Sequence, residues 1–134
     1  MVDGRKAKIN IRKIVNQDRN MLLTESITKS ENAPVVVLFG GNPFRRDEVV
    51  KLVQSIGEIS IYGALSEEEG LAKIKSLSRV DLVLIGGRYS TEQRKRIRKF
   101  VYEELPTTKI TEPCFEYTFE IEAIKNYIIL KLGL

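Results

Sequence analysis

From Pro34 to the C-terminus the chain repeats one motif: a short β-branched apolar run, then a longer segment whose apolar residues recur at helical spacing. "VVVLF" (35–39) lacks polar alternation, the pattern of a strand covered on both faces. "NPFRRDEVVKLVQSIG" then sets Val49, Val50, Leu52, Val53 and Ile56 along one stripe. Asn42 suits the N-cap of that helix, Pro43 its first position and Gly57 its stop. "EISIYG" (58–63) gives a second strand, and "SEEEGLAKIKSLSRV" a second helix, with Ser66 and Glu69 at capping-box spacing and Leu71, Ile74 and Leu77 on one face. "DLVLIGG" (81–87) is a third strand. Its helix, "STEQRKRIRKFVYEELP", pairs Ser90 with Gln93 at the start, buries Ile97, Phe100, Val101 and Leu105, and ends at Pro106. "TKITEP" (108–113) is a fourth strand, and "YTFEIEAIKNYIILKLGL" a last helix with Thr118 as candidate cap and Ile121, Ile124, Ile128 and Leu132 along a face.

Repeated βα order implies parallel strands joined by crossovers, with helices on both sides of the sheet. The expected fold is therefore α/β: a three-layer α/β/α sandwich, flavodoxin-like, with a four-stranded parallel sheet in the order 2-1-3-4 and an N-terminal extension. Residues 1–33 stand outside this rhythm. "AKINIRKI" alternates like a strand, whereas Ile11, Ile14, Val15, Met21 and Leu22 also suit a helix, and "TESITKSENAP" reads as a linker. Residues 1–33 are expected to form an arm and linker that packs on the domain or on a neighbouring subunit. Residues 34–134 form one domain, since 134 residues at 43% hydrophobic content suffice for a single core.

Composition removes several chemistries. Histidine is absent and Cys114 is the single cysteine, so Ser/His and Cys/His catalysis, internal disulfides and zinc sites built on these residues are excluded. Cys114 has no histidine to lower its pKa and reads as a small apolar residue. Glu112 is the one carboxylate expected at a strand's carboxyl end, which makes neither an acid/base pair nor a magnesium site. The reading is of a non-catalytic protein with no cofactor and no metal. No apolar run approaches the length of a membrane span, and "MVDGRKAKINIRK" lacks the apolar middle of a signal peptide, so a cytoplasmic location without membrane contact is expected.

Ligands of open parallel sheets sit at the carboxyl ends of strands, beside the switch point. In the expected order "GGNPFRR" and "GGRYS" face one another there. Gly40, Gly41, Asn42, Arg45, Arg46, Gly86, Gly87, Arg88 and Tyr89 are the candidate ligand-binding residues: two glycine pairs ahead of helix N-termini whose N–H groups favour an anion, arginines for charge, and a tyrosine to stack. The spacing matches neither G-x-G-x-x-G nor G-x-x-x-x-G-K-[ST], and "YGALS" has no acid to hold a ribose, which tilts the glycines towards turning. A second feature is the basic helix. Arg94 with Arg98, and Lys95 with Lys99, are spaced to share an exposed face, a strip suited to phosphates, nucleic acid or an acidic partner, although Glu103 and Glu104 offset it and the net charge is only +4.

The stretch "APVVVLFGGNPFRRDEVVKLVQSIGEISIYGALSEEEGLAKIKSLSRVDLVLIGG" resembles the first half of a response-regulator receiver domain. The likeness lies in a helix ending in "SIG", a strand followed by A-x-S-x-E-E, and "V-D-L-V-L-I", and it extends over roughly residues 33 to 112. The resemblance implies an acidic pair where this chain has Gly40 and Gly41, and a phosphoacceptor aspartate where it has Gly86 and Gly87. Asp81 lies at the wrong end of its strand, Thr111 falls at the position of the family's switch threonine, and the lysine of a fifth strand has no counterpart. The resemblance therefore implies a degenerate receiver-like module that works through protein contacts, including self-association. A small-anion or nucleotide site in the crevice is the alternative, and nucleic-acid contact through helix 91–105 the third.

Overall fold

A computed structural model describes residues 24–28, 32–113 and 120–134. The chain order is β1 (Thr24–Ser26), β2 (Val35–Phe39), α1 (Pro43–Ile56), β3 (Ser60–Ala64), α2 (Glu67–Ser76), β4 (Leu82–Ile85), α3 (Thr91–Glu104), β5 (Lys109–Thr111) and α4 (Ile121–Leu132). The strands lie in the order β1-β3-β2-β4-β5. From β3 to β5 they are all parallel, with Val37 opposite both Tyr62 and Val83, and Val83 opposite Ile110. This is the expected four-stranded parallel sheet in the order 2-1-3-4, a flavodoxin-like arrangement. One correction applies to "TESITKSENAP": within the segment read as a linker, Thr24–Ser26 forms an antiparallel edge strand on β3, with Glu25 opposite Tyr62. Thr28 N–H extends that docking by donating to Ser60 Oγ at 3.1 Å. The strand or helix expected around Ile11 to Leu22 lies outside the described residues, as does Thr118.

Because successive strand residues face opposite sides, the apolar runs feed two cores at once. Val36, Leu38, Ile61, Leu82 and Leu84 pack with Val49, Val53, Ile124 and Ile128 on the α1/α4 side. Val37, Phe39, Tyr62, Val83 and Ile85 pack with Ile74, Ile97 and Val101 on the α2/α3 side.

The caps of α1, α2 and α3 agree with the sequence reading, with one shift, whereas the last helix is not capped at the expected Thr118. Asn42 caps α1 and Pro43 opens it. Ser90 and Gln93 form a reciprocal capping box on α3. Ser66 caps α2 through the N–H of Glu69, but the Glu69 carboxylate reaches back to the N–H of Leu65 at 2.9 Å, one residue before the cap. α4 begins at Ile121 after Glu120, without a side-chain cap.

At the amino ends of the strands the closure is ionic. Asp81 accepts from the N–H of Val35 at 2.8 Å and pairs with Arg79, which also donates to the carbonyl of Ala33. Asp81 is therefore a structural pin at the edge remote from the crevice.

Candidate functional site at the strand ends

β2 and β4 are neighbours whose helices leave to opposite sides of the sheet, so their carboxyl ends form a switch point. There the two glycine loops meet. Gly40 N–H donates to Ala64 O and Gly86 N–H to Phe39 O, both at 2.8 Å, so each strand is tied to its neighbour up to its first glycine. Beyond these bonds a cavity of about 400 Å³ opens, lined by Leu38, Gly40, Gly41, Asn42, Arg45, Arg46, Val49, Leu84, Gly86, Gly87 and Arg88. That volume suits a small ligand. Leu38, Val49 and Leu84 belong to the α1/α4 core, which places the cavity on that side of the sheet's crest.

Eight of the nine candidate ligand-binding residues line this cavity; Tyr89 does not. Tyr89 is buried beneath the crest, its ring edge-on to Phe39 at 6.2 Å and its hydroxyl donating to Gly40 O at 3.2 Å. It holds the two loops together instead of stacking on a ligand. Burial, then the charges of Glu69 and Glu67, raise its pKa well above the ordinary tyrosine value, so the phenol stays protonated.

The glycines are explained first by packing. A Cβ on Gly41 would lie 2.7 Å from Arg88 Cβ, so the Arg88 stem crosses the crest where only glycine allows it. Arg46 lies in the same way over Gly63 and Gly40, whose added Cβ atoms would come within 2.9 and 3.3 Å of its stem. Asn42 Oδ1 already accepts from the N–H groups of Phe44 and Arg45, so the N-terminus of α1 is occupied by its own cap. The expectation of a free helix end for an anion is corrected accordingly.

The lining holds three arginines and no carboxylate. Arg45 pairs with Glu48 and the buried Arg46 with Asp47, both at 3.0 Å. Both acids lie on α1, outside the lining. Arg88 is exposed and has no ion pair among the described residues, so it carries the uncompensated charge of the crevice.

The basic helix needs a larger correction. Arg94 is fully buried and belongs to no surface strip. Its guanidinium donates to Gly86 O, to Tyr89 O at 3.2 Å and to Glu112 Oε1 at 2.6 Å. Arg98, half-buried, closes on the other oxygen of Glu112 at 2.7 Å. Burial alone would raise the Glu112 pKa, but the hydrogen bonds from Arg98 and Arg94 hold it below the ordinary carboxylate value. Arg96 forms a two-point pair with Glu67 on α2 at 2.7 and 2.8 Å, and Lys99 pairs with Glu103 at 2.9 Å. Lys95 and Lys99 are exposed as expected, but of Arg94, Lys95, Arg96, Arg98 and Lys99 only Lys95 lacks a carboxylate partner among the described residues. Much of what reads as a phosphate-binding strip in the sequence is engaged internally, which weakens the nucleic-acid reading.

The helical phase carried a signal for Arg94: it stands three residues before Ile97 and seven before Val101, on the inward stripe. Thr111 is fully buried opposite Leu84 at the end of β5, and Cys114 lies outside the described residues. No described helix is long and apolar enough to cross a membrane, and no group of three or more metal-ligating side chains occurs among the described residues. Compared with family models, with curated proteins and with solved structures, the chain matches none.

Proposed function

We propose that the protein is a non-catalytic, receiver-like module whose strand-end crevice binds a small anionic ligand. The observation that carries this reading is the lining: three arginines, one without an acidic partner among the described residues, and no carboxylate around a ligand-sized cavity. An arginine at the rim of a partly enclosed cavity attracts an anion more strongly than one on open surface, because the surrounding protein lowers the local dielectric. Glycine stands at both strand ends where the resemblance implies acids, which leaves the crevice without the groups that would repel an anion. The test is a thermal-shift titration with phosphate, sulfate, small carboxylates and nucleotides. A ligand at one hundred times its Kd raises stability by about 2.7 kcal/mol, and Arg88→Ala is expected to abolish that shift. A flat response of the native protein to every anion at millimolar concentration would overturn the reading.

A second reading, action through protein contacts, is favoured by Phe44, which stands 83% exposed in the first turn of α1 beside the crevice-lining Asn42 and Arg45.

A further inference from the structure

The crevice's main-chain donors are oriented from below. In a trans peptide the C=O and the next residue's N–H point in opposite directions, so a hydrogen bond that fixes one also aims the other. Gly40 O accepts from the Tyr89 hydroxyl, and Gly86 O accepts from the Arg94 guanidinium. Tyr89 and Arg94 both lie on the α2/α3 side: Tyr89 belongs to that core, and Arg94 extends from α3. The N–H groups of Gly41 and Gly87 are therefore turned to the α1/α4 side, where the cavity lies. Both residues are exposed and line the cavity, and neither N–H has a hydrogen-bond partner among the described residues.

We infer that Gly41 N–H, Gly87 N–H and the Arg88 guanidinium form one receptor for the terminal oxygens of a phosphoryl group, with Tyr89 and Arg94 as its positioning residues. Three donors arriving from two loops and a side chain match the three free oxygens of a phosphate monoester, whereas a carboxylate presents two oxygens in one plane. The missing G-x-x-x-x-G-K-[ST] spacing is no obstacle, because this receptor is assembled from two loops instead of one. The inference rests on the anion reading above and specifies what that anion is.

Amide NMR of the isotopically labelled full chain, titrated with inorganic phosphate and separately with acetate, tests it. The amide protons of Gly41 and Gly87 are expected to move downfield together with the Arg88 Nε proton, saturating at lower concentration with phosphate than with acetate. Tyr89→Phe keeps the ring on Phe39 but removes the bond to Gly40 O. It should weaken phosphate binding about three- to tenfold and shrink the Gly41 shift, while the Gly87 shift persists. A role confined to stability would leave the Gly41 and Gly87 shifts of the folded variant at native size, and that result overturns the positioning role. Movement of Arg88 alone would overturn the main-chain receptor and leave the anion reading standing. Equal saturation by acetate would overturn the phosphoryl class, and no movement anywhere would remove both proposals.

Discussion

Arg94 shows how misleading a charge can be at the scale of one residue. Set among other basic side chains it suggests a surface strip, yet three acceptors converge on it inside the protein: Gly86 O, Tyr89 O and the Glu112 carboxylate. A buried guanidinium is tolerable only with such partners, and removing one from a buried pair costs about 3–5 kcal/mol. The pair also gives stability a pH dependence. The folded Glu112 carboxyl is held below its ordinary value of 4.5, so the unfolded chain takes up the proton more readily. The stabilisation is complete above the ordinary carboxylate range and is lost as pH falls through the folded value. Urea denaturation of Glu112→Gln is expected to show a protein weaker by about 3 kcal/mol at neutral pH, with a flatter decline towards about pH 3 than the native chain. Parallel declines in the two proteins would contradict this account of the acid limb.

At the scale of elements, most of the fold could be read directly. The stripes of α1, α3 and α4, the caps Asn42, Ser66 and Ser90, and the four parallel strands arise from periodicity and end chemistry, which act locally. The features that stayed hidden depend on a distant partner. β1 has three residues, too few for a period of two to register, and its place is set by the free edge of β3. Gly70 is similar: inside α2 it looks like a blemish, but a Cβ there would lie 2.0 Å from Phe39 Cε2. The helix accepts its least favourable ordinary residue so that the Phe39 ring fits beneath it. Gly70→Ala should therefore lower stability by about 1–3 kcal/mol, despite the roughly 1 kcal/mol that alanine contributes to an isolated helix. Pairing it with Phe39→Leu should recover part of the loss. A thermal melt in which the single variant is more stable than the native protein would refute the packing argument.

For the whole molecule, the crevice was visible in outline and not in mechanism. The βα repetition together with the flavodoxin-like strand order expected of it brings the two glycine loops to the switch point. Which atoms face the cavity is not set that way, since it depends on Tyr89 and Arg94 turning the carbonyls of Gly40 and Gly86 inward. The exposed apolar side chains bear on the other reading: Phe44 at 83%, Leu130 at 67% and Tyr102 at 62% stand on three different helices. If protein contacts through the crevice mouth include self-association, sedimentation velocity should show a mass that rises with concentration in the native protein and not in Phe44→Ser. A constant monomer mass across the accessible range would remove self-association from that reading.

The edge strand has a consequence for how the protein is made. Thr24–Ser26 leaves the ribosome before the other described strands of this sheet, yet the edge it pairs with belongs to Ser60–Ala64, which is synthesised only after β2 and α1. Until then it has nowhere in this sheet to dock, and the β3 edge that it later covers is open to other chains from the moment it emerges. The first of the described strands to be synthesised must wait for its place, its backbone groups unmatched by β3 until that edge has been made.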